Sequence, residues 1–330
     1  GMEDTFLTSS GTGALEIISI LLDIKPGDEV ILPSFTYPST ANPFVLRGAK
    51  LVFADSMKDH PNMDVEKLPE LITPATKAII VMHYGGISCD MDTVTGLAKK
   101  HGIIVVEDAA LGMDSFYKGK ALGSMGDFGV YSFHDTKHIS AGEGGLLIIN
   151  NKDYIARAGQ VYETGTNRSD FLAGKVDRYE WTDTGMSCKM SELNAAVLYA
   201  RLEQKDIITG KLKNNWELYY QNLTSLQDSG YLQLPIIPPH VSSYNYQTLY
   251  IVLDDISRRD GLRDFLYGKG IQSGFHYQAL HDSRYARKKY DNQLITYASA
   301  FSGNLLRLPI YPGLTEQECM TVIQAITSYF

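Results

Sequence analysis

The chain has 330 residues, of which 44% are hydrophobic and 21% charged, and a formal net charge of −8. These values are ordinary for a folded globular enzyme, and the acidic balance argues against a nucleic-acid binder, which needs a basic face. No apolar run approaches the ~18 residues of a membrane span, so neither a nucleic acid nor a membrane is an expected partner.

The three cysteines, Cys89, Cys188 and Cys319, are odd in number and far apart. They suggest neither a disulfide framework nor a zinc cluster; a reducing cytoplasm and no bound metal are expected. Gly1 ahead of Met2 reads as an expression scar.

In chain order, Ala14 to Leu22 reads as an apolar helix ended by the turn Lys25-Pro26-Gly27-Asp28. Glu29 to Leu32, Leu51 to Ala54 and Ala78 to Met82 read as short buried strands, with helices near Val65 to Leu71 and at Met91 to His101. Ile103 to Val106, Phe128 to Phe133 and Gly145 to Asn150 complete the strand set. Strands alternating with helices predict an α/β fold with a mostly parallel sheet covered on both faces. From Met190 to about Tyr220 the spacing turns helical, with Leu193, Ala196, Val197 and Ala200 on one stripe. Pro235, Pro238 and Pro239 mark a domain joint. Tyr246 to Leu253 then reads as a strand, and Gly261 to Tyr267 and Thr315 to Tyr329 as helices. The expected organisation is a large α/β domain over residues 1–210 and a smaller α+β domain over 211–330.

The chemistry centres on Lys137. One strand ends in Glu107-Asp108-Ala109-Ala110, the next delivers Ser132 and Lys137, and Gly142-Glu143-Gly144-Gly145 follows. A lysine amine can join the aldehyde of pyridoxal 5'-phosphate (PLP), and a carboxylate can hold the pyridine nitrogen protonated. Ser10-Gly11-Thr12-Gly13 precedes a helix whose free N–H groups suit a phosphate, and glycine lets the backbone approach it closely. In open α/β sheets the ligand lies beyond the carboxyl ends of the strands, where Asp108 and His83 both fall. As bland alternatives, Asp108 serves as a helix cap, Lys137 as a solvated surface charge and His83 as a structural hydrogen-bonding residue.

The ordered set Ser10-Gly11-Thr12, Pro33-Ser34-Phe35-Thr36-Tyr37, Val81-Met82-His83-Tyr84-Gly85, Glu107-Asp108-Ala109-Ala110, Ser132-Phe133-His134 with Lys137, and Gly142-Glu143-Gly144-Gly145 resembles the DegT/DnrJ/EryC1/StrS family of sugar aminotransferases. That resemblance implies PLP fold type I, with a sheet of the seven-stranded type, and a homodimer with shared active sites. It implies that Lys137 carries the cofactor and moves protons, that Asp108 pairs with the ring nitrogen, and that Tyr37 stacks on the ring. Gly11, Thr12 and Ser132 are implied as the phosphate site. Ser187 and Lys189 lie where the family reaches across the dimer toward the neighbour's phosphate. Arg168, Tyr277 and His281 are implied sugar-nucleotide contacts.

Gly165 to Ser169 with Val176 to Tyr179 and Trp181 is similar to one branch, which aminates a dTDP-linked 4-keto-6-deoxyhexose with glutamate as donor, for surface polysaccharides such as lipopolysaccharide. Two departures stand out. Leu111 occupies the position of a family Gln or His that contacts the cofactor's phenolic oxygen. Nine residues precede Ser10, where the family carries a longer segment with a Gly-rich loop, so cofactor binding with impaired sugar turnover, or a regulatory role, is the alternative expectation.

Overall fold

The computed structural model describes residues 4–290 and 295–330; Gly1, the expected scar, lies outside them. Seven strands form the central sheet: β1 (Asp4–Thr8), β2 (Glu29–Pro33), β3 (Lys50–Ala54), β4 (Thr76–Met82), β5 (Ile104–Asp108), β8 (Phe128–Ser132) and β9 (Gly145–Ile149), in the order β1-β9-β8-β5-β4-β2-β3. The β5–β8 connection holds the hairpin β6 (Phe116–Tyr117) and β7 (Lys120–Ala121). β9 is antiparallel to both neighbours, while β2, β3, β4, β5 and β8 pair in parallel.

Side-chain alternation along these strands divides the core. Val30, Leu32, Ile80, Val106, Val130 and Leu147 face the apolar helix α1 (Gly11–Leu21) in one buried cluster. Ile31, Val52, Ile79, Val81, Val105 and Ile148 face the helix Met91–His101 in a second. Strands buried on both faces read as unbroken apolar runs, which is why they were visible in the sequence. The Met91–His101 helix starts on the Asp90 cap and stops at Gly102, whose φ of 65° suits glycine.

A third core belongs to the C-terminal part, where Tyr219, Leu249, Ile251, Leu262, Leu306, Cys319 and Ile326 pack together. The helix Lys205–Asp228 bridges the cores: Ile208 and Leu212 join the second cluster, Trp216, Tyr219 and Leu223 the third. That crossing lies beside residue 210. The proline segment leads to β10 (Val241–Ser243), which returns to pair with β6. β11 (Tyr250–Val252) and β12 (Leu305–Arg307) form a separate antiparallel ladder. All three cysteines are free and buried. No helix among the described residues is long and apolar enough to cross a membrane.

Gly145 opens β9 against the start of α1, and a Cβ there would collide with the backbone of Ser10 and Gly11. Gly145→Ala is expected to cost about 1–3 kcal/mol, the usual range for overpacking, and to weaken whatever binds the α1 N-terminus. Urea unfolding followed by circular dichroism checks it; a variant as stable as the parent would show that the strand shifts freely.

Candidate active site

The site is built where β5 and β8 end on the α1 face of the sheet. Asp108 shares its face with Val106 and is 5% exposed. Its carboxylate accepts from the Thr40 hydroxyl at 2.7 Å and the Ala110 N–H at 3.1 Å. Thr40 is in turn 2.8 Å from the Thr36 hydroxyl, so Asp108 is fixed from two directions.

Ser132 ends β8 on the same face. A Cβ built on Gly11 would stand 3.3 Å from the Ser132 Cβ and from the Tyr131 carbonyl oxygen, so the three phosphate candidates Gly11, Thr12 and Ser132 come together. Ser10 caps α1 through the Gly13 N–H, and the Ala14 N–H bonds the Ser10 carbonyl. The Thr12 hydroxyl donates to Ser39 at 2.9 Å. The N–H groups of Gly11 and Thr12 bond no acceptor among the described residues, which leaves two donors at the positive end of a helix.

Lys137 follows in the loop after β8. Burial pushes its amine down to about 8; Asp108 opposes that, and Arg307 adds to it. Next to it, His138 is buried, and burial pushes it down to about 4, with the nearby Gln247 side chain opposing. Tyr37 starts the turn Pro38–Thr40 and is 58% exposed. Its ring lies 6.1 Å from that of Tyr277, which also packs against Phe35 and Tyr84. Burial raises the Tyr277 hydroxyl above its ordinary value, and Tyr84 and Asp108 add to the rise.

Other expected residues sit differently. His281 is engaged on both nitrogens, Nδ1 with Ser34 Oγ at 2.5 Å and Nε2 with Ser299 Oγ at 3.1 Å. Arg168 and Lys189 converge on one carboxylate, Glu163, at 3.7 and 2.5 Å. The segment carrying Lys189 lies against the turn ahead of α1, since the Ser9 N–H donates to the Cys188 carbonyl at 2.6 Å. His83 is fully buried and tied to Glu107 at 3.0 Å, with its Nδ1 accepting from the Cys89 N–H; that fixes the proton on Nε2.

Sequence reasoning missed two residues. Gln247 is buried and donates to the Leu111 carbonyl at 2.7 Å, beside the position where a polar side chain was expected. Arg307, at the end of β12, acts electrostatically on Lys137, His276 and Tyr277. Neither carries a local sequence signal.

An amine of lowered proton affinity, a fixed carboxylate, an exposed aromatic face and an anion cradle fit PLP. Fold and site define a PLP-dependent aminotransferase of fold type I. The model of the DegT/DnrJ/EryC1/StrS aminotransferase family matches residues 1–327, and the chain belongs to that family.

Among solved structures, the chain is similar to the aminotransferase TlmJ from Streptoalloteichus hindustanus (27% identity, TM-score 0.90, covering 98% of this chain and 85% of that one). It is also similar to DesV from S. venezuelae (28% identity, TM-score 0.89, 99% and 85%). The PLP-form of the sugar aminotransferase Spr1654 from Streptococcus pneumoniae shares the fold at 24% identity (TM-score 0.89, 99% and 87%).

In the cofactor-free protein, acylation of Lys137 is expected to rise with pH and level off above about pH 8, because the neutral amine is the nucleophile and burial lowers its proton affinity. Mass-spectrometric labelling across pH 6–11 checks this. A rise continuing past pH 10 would put the amine at its ordinary value.

Proposed function

We propose that the protein transfers the amino group of glutamate to the C4 ketone of a dTDP-linked 4-keto-6-deoxyhexose, as a dTDP-4-amino-4,6-dideoxygalactose transaminase does. The observation that carries the aminotransferase reading is the Lys137 amine, lowered to about 8 and within the field of the buried Asp108. Support for the sugar comes from the segment Gly165 to Trp181, which the structure closes on itself. Thr166 bridges Trp181, and the Asn167 side chain bonds the Arg178 carbonyl at 3.0 Å and the Glu180 N–H at 2.8 Å.

When bound, PLP supplies the aldehyde that carries the amino group and a ring that takes up an electron pair. The chain's residues do the rest. The N–H groups of Gly11 and Thr12, with the Ser132 hydroxyl, hold the phosphate. Asp108, kept from water and fixed by Thr40 and Ala110, keeps the ring nitrogen protonated, and Tyr37 covers the ring. Lys137 Nζ accepts the proton from the donor's Cα, for which a proton affinity near the working pH is the efficient choice. Tyr277 and Arg168 contact the sugar nucleotide. His281 borders that site and, bonded to Ser34, seats the Tyr277 segment against the sheet.

Lys189 is assigned to the partner subunit's phosphate in a homodimer, which requires it to leave Glu163. The exposed Trp181 (81%), Leu193 (82%) and Tyr199 (66%) supply apolar area for that interface. The proposed product serves surface-polysaccharide synthesis in the cytoplasm.

Borohydride reduction and peptide mapping should place the cofactor on Lys137, and an adduct on another lysine would overturn that assignment. Asp108→Asn should keep the cofactor and slow the half reaction with glutamate by on the order of a thousandfold, as expected for loss of a preorganised charge. A rate within tenfold of the parent would make Asp108 a cap. Product analysis with dTDP-linked 4-keto and 3-keto sugars separates the proposed substrate from its isomers.

A further inference from the structure

A carboxylate at the edge of the sheet caps a helix of the C-terminal unit. Asp55 directly follows Ala54, the last residue of β3, at the end of the strands where open α/β sheets take their ligands. It accepts four N–H groups: Ser56 at 2.8 Å, Thr296 at 3.0 Å, Tyr297 at 3.2 Å and Ala298 at 2.8 Å. The last three open the helix Tyr297–Asn304, for which Thr296 supplies no side-chain cap. A helix leaves its first N–H groups unsatisfied and carries partial positive charge there. Helices that need only an end cap take it from the preceding residue, as Asp90, Asp255 and Thr315 provide. Here the cap comes from 241 positions earlier in the chain, so it also ties two distant segments together.

The capped helix in turn backs the segment from Tyr277 to Asp282. Ser299 Oγ lies 3.1 Å from His281 Nε2 and 2.8 Å from Asp282 Oδ2. One turn on, Ser302 Oγ accepts the Ala279 N–H at 3.1 Å. Ala279, Leu280, Ala298 and Phe301 are buried in one core. Tyr277, two residues ahead of Ala279, turns its ring toward Tyr37. Asp55 therefore reaches the site through one helix and one hydrogen-bonded segment.

That reach is selective. In the sheet, β4 and β2 separate β3 from β5. Asp108 ends β5 and is held by Thr40 and Ala110, and Lys137 follows β8, one strand further away. The groups that work on the amino donor thus stand apart from the cap.

We propose that Asp55 is a positioning residue for the acceptor half of the reaction. By capping Tyr297–Asn304 from the sheet edge, it fixes the Tyr277 segment against which the nucleotide sugar binds. This rests on the reading above that assigns Tyr277 to the sugar.

The test compares the holoenzyme with its Asp55→Ala and Asp55→Asn variants. In Asp55→Ala, KM for the dTDP-linked keto sugar should rise about tenfold, the scale of a lost helix cap. The glutamate half reaction should stay within about twofold at unchanged PLP content. Asp55→Asn keeps one acceptor oxygen and should recover part of the loss; it also serves as the readout if Asp55→Ala does not fold. With Ser299→Ala and Ser302→Ala already in place, the segment is released from the helix, and Asp55→Ala should then add less than about twofold. Hydrogen exchange read by mass spectrometry should show residues 277–282 losing protection in Asp55→Ala while β5 and β8 keep theirs.

Equal slowing of both half reactions, or loss of PLP, would make Asp55 a residue of general stability and overturn the proposal. An unchanged sugar KM, or a tenfold loss that persists in the serine-free background, would overturn it as well. If residues 277–282 lose protection in Asp55→Ala but the parent enzyme aminates no keto sugar, the cap stands and the sugar reading falls.

Discussion

The site depends on one buried carboxylate that takes no part in the proposed chemistry. Glu107 is fully buried and accepts from His83 Nε2 at 3.0 Å and from the N–H groups of Gly123, Met125 and Gly126 at 2.8, 2.6 and 2.7 Å. A carboxylate without such donors would not be tolerated there. With them, it fastens the last turn of β5 to the loop ahead of β8 and to the end of β4. Strand alternation then sends the next side chain, Asp108, to the opposite face. The Glu-Asp pair thus divides its labour by geometry: the glutamate anchors the sheet, and the aspartate faces the α1 side.

The second half of the site comes from the C-terminal unit. Phe35, at the end of β2, lies 6.0 Å from Phe301 and 5.9 Å from Tyr277, and Leu280 donates its N–H to the Ser34 carbonyl at 2.8 Å. Apolar contact and backbone bonding hold the Tyr277 segment over the strand ends. Ala279, Leu280 and Phe301 belong to the first core, and Tyr277 packs against it, so the placement of Tyr37 and Tyr277 depends on how that core closes over the strand ends.

The sequence announces what is local. Apolar runs locate the central strands because both faces are buried, and Asp90 and Gly102 bound their helix by cap chemistry. β1 went unread because Asp4-Thr5-Phe6-Leu7-Thr8 holds two apolar residues, and its strand character comes from pairing with the distant β9, Asp4 against Ile149 and Thr8 against Gly145. Arg307 was invisible for the same reason: its neighbours Tyr250 and Gly274 are distant in the chain, and one arginine among 30 basic residues carries no mark. His281 was implied by the family resemblance, yet its engagement by Ser34, 247 positions away, is purely tertiary.

The charges around Lys137 explain why its proton affinity falls despite a neighbouring carboxylate. Burial disfavours the ammonium, Asp108 favours it, and Arg307 disfavours it again, leaving the amine at about 8. With Asp108 bonded to Thr40 and Ala110, its charge is partly committed elsewhere, whereas that of Arg307 is uncommitted within the fold. The protonated site therefore holds two cationic groups against one anion, and free helix N–H groups at Gly11 and Thr12 add partial positive charge. Such a balance favours anionic ligands before any specific contact is made, in a chain whose overall charge is −8. A phosphate and a carboxylate both lower that local excess, so binding either one eases the cost of keeping Lys137 protonated.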